Sequence, residues 1–315
     1  MALNKAMQRA LKALSYQDIN LKKNYKLVRK VETITHPYYL KPFYKTWDHK
    51  IEFDNHEIPV RIFSIDEEVR PLLLFFHGGG WVTGNIDTYN NVCANLSSTT
   101  GCKVLSVDYR LAPEYPFPCG LEDCYFVAKE IFSHSEEFFG ITPDQITLIG
   151  DSAGGNLAAA LSIMARDRGE FLPKKQILLY PAVNNDFTEN SPFDSIRENG
   201  TDYLLTIKRL CDYMDMYGKT EEDRQNPYFA PLLAEDLSCQ PDTMIVTAEF
   251  DPLRDEGEAY GKKLKDFGNE VIVYRIPDVL HGFFSLPHKH KPVRRCCRWI
   301  RKFVHKDREV SVRET

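Results

Sequence analysis

The chain has 315 residues, of which 43% are hydrophobic and 27% charged, and its formal net charge is −5 at pH 7. This length can bury the core of one large α/β domain. The sequence contains no long run of like charge, so we expect no nucleic-acid partner. No stretch approaches the roughly 20 apolar residues of a membrane span, so we expect no stable membrane insertion.

The N-terminal segment has apolar residues at helical spacing, with basic residues between them. These apolar residues are Leu3, Met7, Ala10, Leu11 and Leu14. The pattern predicts an amphipathic helix that packs on the domain. A membrane-surface helix, an organelle transit peptide and a dimer contact are alternatives that the sequence leaves open.

Eight cysteines are scattered along the chain, and none forms a C-x-x-C pair or the paired spacing of a zinc site. The segment that precedes them lacks the compact apolar stretch of a secretory signal. We therefore predict free thiols, a cytoplasmic location, and no metal or organic cofactor.

Beyond the N-terminal segment, the apolar pattern predicts a central sheet. Two alternating runs, 47–53 and 59–65, flank a predicted turn at Asp54, Asn55 and His56 and predict an antiparallel hairpin. Short, uniformly apolar runs follow, which are typical of strands buried on both faces: 72–76, 104–107, 146–149, 177–180, 244–248 and 271–274. Predicted helices alternate with them: 120–133, 153–168, 256–267 and 292–304. This alternation predicts an α/β fold with a mostly parallel sheet and helices on both faces.

Two parts of the chain do not fit this alternation, and both are expected to form a helical cap. One is the N-terminal segment 1–46, and the other is the insertion 184–222, which includes a helix-like stretch at 204–217. The core then comprises 47–183 and 223–315. In open α/β sheets ligands bind at the carboxyl edge, so a cap at that edge would shape a pocket.

The strongest chemical signal is the sequence Gly-Asp-Ser-Ala-Gly-Gly at 150–155, between a predicted strand and a predicted helix. This is the context of a nucleophile elbow, in which a sharp turn exposes the serine hydroxyl. Ser152 is therefore the candidate nucleophile. The backbone N–H of the following residue, Ala153, is a candidate oxyanion donor.

A glycine run, His-Gly-Gly-Gly-Trp at 77–81, directly follows the first buried strand. Glycines let backbone N–H groups approach the oxygen that becomes negative during acyl transfer. We expect His77 to hold this loop in place rather than to act as a base.

A serine nucleophile needs a general base, and the base needs an orienting carboxylate. Of nine histidines, His281 follows the last predicted strand, as the order Ser, Asp, His requires. Asp251 lies just past a strand end and is the predicted acid. Glu249, Asp255 and Asp278 are its rivals.

These motifs, with Asp-Tyr-Arg-Leu-Ala-Pro-Glu at 108–114 and the run 251–257, resemble the hormone-sensitive-lipase-like family of α/β-hydrolases. The resemblance covers about residues 70 to 305. It implies the α/β-hydrolase fold and the triad Ser152, Asp251 and His281. It also implies an oxyanion hole formed by the N–H groups of Gly79, Gly80 and Ala153, on the loop that includes His77 and Gly78.

The predicted function is a serine carboxylester hydrolase that acts on small esters with acyl chains of about two to six carbons. An amidase or metabolite deacetylase would use the same triad, and a non-catalytic receptor or a structural protein are further alternatives. Candidate pocket residues are Trp81, Met214, Phe283 and Phe284. The expected partner is a small-molecule ester, and the oligomeric state is expected to be a monomer or a homodimer.

Overall fold

The protein is described by a computed structural model that covers residues 20–35 and 45–306. The predicted apolar pattern between Leu3 and Leu14 lies outside these residues. Eight strands are present among the described residues: β1 (Lys45–Phe53), β2 (His56–Ser64), β3 (Leu72–Phe76), β4 (Lys103–Val107), β5 (Ile146–Asp151), β6 (Lys175–Leu179), β7 (Asp242–Phe250) and β8 (Val271–Leu280). They form one sheet in the order β1-β2-β4-β3-β5-β6-β7-β8.

The predicted hairpin is confirmed at one edge of this sheet. Strands β1 and β2 pair antiparallel with Phe53 opposite His56, which leaves a two-residue turn at Asp54 and Asn55. His56, which was predicted to belong to the turn, is instead the first residue of β2 because it pairs with Phe53. Both turn residues have positive φ, 41° and 67°, as the tight turn between two twisted strands requires. Strand β2 then pairs antiparallel with β4, and all remaining neighbours pair in parallel.

Helices cover both faces of the sheet, as predicted. The described helices are α1 (Leu21–Thr35), α2 (Asn90–Thr100), α3 (Cys119–Ser133), α4 (Ser135–Phe139), α5 (Ala153–Arg168), α6 (Asp194–Asn199), α7 (Ile207–Tyr217), α8 (Glu221–Gln225), α9 (Arg254–Asp266) and α10 (Lys291–Val304). Successive β3 side chains alternate between two cores. Leu72 and Leu74 share a core with α3, α5 and α9, whereas Leu73 and Phe75 share one with α2 and α10. This alternation explains why the strand is apolar throughout.

Helix α1 is attached to the rest of the molecule through its inner face. Leu21 is buried, and Lys22 forms an ion pair with Asp215 of α7. Arg29 donates hydrogen bonds to the carbonyl oxygens of Val82 (2.6 Å) and Ala112 (2.7 Å). These bonds hold α1 next to the glycine loop that follows β3.

The short helices α4, α6 and α8 were not predicted, and two longer elements also differ from the sequence prediction. Helix α2 was not predicted because it is rich in polar and β-branched residues, several of which are buried, such as Asn90, Ser97 and Thr100. Strand β8 continues to Leu280, six residues beyond the predicted end. The prediction stopped early because the outer half of the strand mixes exposed and buried residues instead of being uniformly apolar. Within the described residues, no helix has the length and apolar character needed to cross a membrane.

Candidate active site

Ser152 lies in a strained turn between β5 and α5. Its φ of 54° and ψ of −118° are unusual for a residue with a side chain. The glycines on either side permit this turn. A Cβ on Gly150 would lie 2.1 Å from the carbonyl oxygen of Gly154, and one on Gly154 would lie 2.0 Å from that of Phe76. The sequence therefore forms the sharp elbow that projects the serine hydroxyl from the carboxyl edge of the sheet.

Ser152, His281 and Asp251 form one hydrogen-bonded chain. The Ser152 hydroxyl lies 2.9 Å from His281 Nε2, and His281 Nδ1 lies 2.8 Å from an Asp251 carboxylate oxygen. Since a carboxylate only accepts, Nδ1–H donates to Asp251, and Nε2 of the neutral ring accepts from the serine. Asp251 is fully buried, and its other oxygen accepts from the Leu253 N–H at 2.9 Å.

The rival carboxylates have other partners. Glu249 accepts from the N–H of Asp278 at 2.7 Å. Asp255 accepts from the N–H of Ser195 at 2.8 Å and forms an ion pair with Arg254, which lowers its pKa despite the opposing effect of burial. The structure thus places Asp251, and not these residues, beside His281.

The glycine loop lies against the elbow with two N–H groups available. Gly79 and Gly80 have φ of 116° and 60°, and among the described residues their N–H groups donate no hydrogen bond. Ala153 is the first residue of α5, where a helix N–H has no intrahelical acceptor. These three groups line the same cavity as Ser152. They are therefore available to a ligand oxygen.

Asp151 joins the glycine loop to the elbow. Its buried carboxylate accepts from the N–H of Gly78 (2.9 Å), the Tyr89 hydroxyl (3.0 Å) and the Tyr180 hydroxyl (3.3 Å). Burial raises the pKa of Asp151 to about 6, although these donors and nearby His281 oppose the shift. The ring of Tyr180 also packs edge-on against His281.

His77 lies buried at the start of the glycine loop. The ring is fully buried, and its Nδ1 donates to the carbonyl oxygen of Gly78 at 2.8 Å. Burial lowers the pKa of His77 to about 4. The ring stacks on Tyr109, whose hydroxyl donates to the His77 carbonyl oxygen at 2.7 Å. His77 is thus neutral at physiological pH and faces the core.

A cavity of about 180 Å³ opens beside the Ser152 hydroxyl. Its apolar wall comes from the core and from the insertion: Ala182, Leu205, Leu210, Tyr213 and Leu253. A second cavity of about 210 Å³ shares Glu32 of α1, Gly79 and Tyr89 with the first. The two cavities therefore lie next to each other along the glycine loop.

The predicted pocket residues occupy different places. Trp81 lines the cavity, but most of its ring is stacked on Tyr217 in the core. Met214, Phe283 and Phe284 are buried in the core and are not among the residues that line this cavity. On α7 the residues that face the cavity are Leu210 and Tyr213. Met214 follows Tyr213 and therefore points about 100° away from it around the helix, into the core.

The cavity is also lined by four residues that were not predicted from the sequence: Glu32, Leu205, Leu210 and Tyr213. No motif marks these residues, although Leu210 and Tyr213 share one face of α7 at a spacing of three. Within residues 20–35 and 45–306, no group of three or more His, Cys, Asp or Glu side chains is arranged to hold a metal ion.

Comparisons with known proteins show the family to which the chain belongs. A family model described as alpha/beta hydrolase fold matches residues 73–285, and the chain belongs to this family. An arylesterase of Saccharolobus solfataricus is 41% identical over 254 residues, which are 80% of this chain and 81% of that protein. An ethyl acetate hydrolase of Pseudomonas putida is 34% identical over 238 residues, 74% of this chain and 73% of that protein.

A solved structure of an esterase from Pyrobaculum calidifontis superposes on the chain with a TM-score of 0.85. The identity is 34%, and the match covers 96% of this chain and 98% of the other. The predicted fold and the resemblance to hormone-sensitive-lipase-like esterases are therefore confirmed.

Proposed function

We propose that the protein hydrolyses small carboxylic esters through an acyl-enzyme on Ser152. The observation that carries this proposal is the hydrogen-bonded chain from Asp251 through His281 to Ser152, which ends at a cavity. The N–H groups of Gly79 and Gly80 on the same cavity wall support it further. The names of the relatives, arylesterase and ethyl acetate hydrolase, indicate the same reaction class.

The first half of the reaction forms the acyl-enzyme. His281 Nε2 takes the proton of Ser152 as Oγ attacks the ester carbonyl carbon. The resulting oxyanion accepts hydrogen bonds from the N–H groups of Gly79, Gly80 and Ala153. The positive end of α5 adds to this stabilisation. Asp251 stabilises the imidazolium and holds its tautomer. His281 then protonates the leaving alcohol.

The second half reverses these roles with water as the nucleophile. His281 takes a proton from water, which attacks the acyl carbon, and then returns a proton to Ser152 as the acid departs. The two half-reactions restore the protein and consume one water molecule for each ester. Every proton transfer uses His281, and the residues proposed here require no cofactor.

Substrate size follows from the cavity walls. The 180 Å³ cavity is lined by the apolar side chains of Leu205, Leu210 and Leu253. A short acyl chain fits this space, whereas a long one would have to displace the insertion. We assign α1 and residues 184–222 as the cap, since Glu32 of α1 and Leu210 of the insertion both line the cavity. Acyl chains of about two to six carbons are the expected substrates.

Hydrolysis of p-nitrophenyl esters from acetate to palmitate tests this proposal, with Ser152→Ala measured beside the natural chain. We expect the highest kcat/KM at short chains and a loss of at least about 1,000-fold in the variant. Ser162→Ala is the matched control because the Ser162 hydroxyl contacts Gln176 and Gln240, away from the cavity. Full turnover by the Ser152→Ala variant, or faster turnover of palmitate than of acetate, would contradict it.

A further inference from the structure

Helix α1 has an outer face that the other described residues, 45–306, leave uncovered. Leu27, Val31 and Ile34 have exposed fractions of 59%, 48% and 67%. Their spacing of four and three residues places them in one stripe along the helix. The anchoring residues Leu21 and Arg29 lie on the opposite side. The stripe therefore points away from the protein.

Lysines border this stripe on one side. At about 100° per residue, Lys23 and Lys30 lie within about 60° of Leu27 around the helix, and Lys26 lies next to them. All three lysines are exposed, and no described carboxylate forms an ion pair with any of them. We call the three apolar residues and these three lysines the outer face of α1.

The charge of α1 is opposite to that of the whole protein. Residues 21–35 include five Lys or Arg and one Glu, a formal charge of +4, in a chain whose net charge is −5. An apolar stripe with a cationic border is the pattern of a helix that lies in a lipid–water interface. The lysine stems can cover apolar surface while their ammonium groups reach anionic headgroups.

Other occupants of this face fit the charges less well. A second copy docked by a two-fold axis would bring the same lysines close to each other. Residues 1–17 contain Lys5, Arg9 and Lys12 and no acidic residue, so they also carry positive charge. An anionic lipid surface complements both the apolar stripe and its cationic border.

We propose that the outer face of α1 docks the protein onto anionic membrane surfaces. Leu27, Val31 and Ile34 insert between the lipid headgroups, while Lys23, Lys26 and Lys30 contact phosphate and other anionic groups. Glu32, on the inner side of the same helix, lines the cavity at Ser152. Docking would therefore hold this cavity about one helix diameter, roughly 10–12 Å, from the lipid surface.

Co-sedimentation with vesicles tests the docking without reference to catalysis. The full chain is mixed with vesicles of phosphatidylcholine alone or with about 30% phosphatidylglycerol. We expect binding to the anionic vesicles and a loss of binding as salt is raised. The triple variant Lys23→Gln, Lys26→Gln and Lys30→Gln should bind at least about 30-fold more weakly. The triple variant Leu27→Ser, Val31→Ser and Ile34→Ser should bind at least about tenfold more weakly.

Matched control variants change similar residues elsewhere on the surface. Lys174, Lys262 and Lys265 are replaced by Gln in one control, and the exposed Val69, Phe138 and Leu172 by Ser in the other. Both controls should keep full vesicle binding. All variants should keep the natural circular dichroism spectrum and should turn over p-nitrophenyl acetate as the natural chain does.

Three outcomes would overturn the proposal. The first is equal binding, or no binding, to the two kinds of vesicle. The second is binding that appears only after residues 1–19 are deleted, which would show that this segment covers the stripe. The third is a natural chain that is a dimer by light scattering and binds no vesicles, while the triple variant Leu27→Ser, Val31→Ser and Ile34→Ser is a monomer. This result would assign the face to a second copy. Vesicle binding and ester hydrolysis are measured separately, so a failure of the docking proposal can be distinguished from a failure of the proposed esterase function.

Discussion

Asp151 offers a specific test of the electrostatics around the elbow. Replacing it by Asn removes the negative charge and keeps the shape of the side chain. The amide oxygen can still accept from the N–H of Gly78, as the carboxylate does at 2.9 Å. The amide nitrogen then lies where a carboxylate oxygen accepted from Tyr89 and Tyr180, so at least one hydroxyl must turn to accept instead.

The expected change in unfolding free energy with pH follows from the pKa of Asp151. Burial raises the pKa from its ordinary value of 3.8 to about 6. The folded protein therefore holds this proton more tightly than the unfolded chain, so stability falls as pH rises through the window between these values. The shift corresponds to about 3 kcal/mol in total, of which about 2 kcal/mol falls between pH 4 and pH 7. Asn does not titrate and lacks this dependence.

Urea unfolding of both proteins at pH 4, 5, 6 and 7 measures the effect. The difference in unfolding free energy between the natural chain and Asp151→Asn cancels the titration of groups that the two proteins share. We expect the unfolding free energy of the natural chain to fall by about 2 kcal/mol relative to that of Asp151→Asn between pH 4 and pH 7. A difference that stays constant with pH, or one that shifts in favour of the natural chain, would refute the reasoning.

Three further substitutions probe the loop, the core and the cavity. Gly79→Ala places a Cβ 2.2 Å from the Thr83 carbonyl oxygen, so the glycine loop must move and kcat should fall at least about 100-fold. Gly169 also has positive φ but has open space around it, so the control Gly169→Ala should keep kcat within about threefold. Trp81→Ala removes the stack on Tyr217 and should lower the unfolding free energy by about 3–5 kcal/mol in urea titrations; a loss below about 1 kcal/mol would contradict this packing. Leu210→Ala widens the cavity and should move the preferred p-nitrophenyl ester to a longer acyl chain, while the exposed Leu172→Ala should leave the preference unchanged.

The sheet could be predicted from the sequence because its strands are buried on both faces. Strand β3 has five buried apolar residues in succession, and the glycines that follow it mark its end. Ser152, His281 and Asp251 could be predicted because local chemistry restricts their positions: an elbow between a strand and a helix, and loops after the last two strands. The structure brings these three side chains into one hydrogen-bonded chain.

The cavity walls could not be predicted in the same way. Leu210 and Tyr213 face the cavity because of the orientation of α7 in the fold. This orientation depends on contacts between residues far apart in the sequence, such as the ion pair between Lys22 and Asp215. Glu32 reaches the cavity from α1, whose position is held by hydrogen bonds from Arg29. Because Met214 and Tyr213 are neighbours on one helix, the apolar pattern alone did not show which of them is turned inward.

The central claim is that Ser152 is the nucleophile, and covalent labelling tests it most directly. A p-nitrophenyl alkylphosphonate reacts with an activated serine and leaves a stable adduct that intact-mass spectrometry can count. We expect one adduct per chain, located on Ser152 by peptide mapping, with loss of esterase activity in proportion to labelling and no adduct on Ser152→Ala. Labelling of another residue that abolishes activity, or labelling of Ser152 that leaves activity intact, would contradict it.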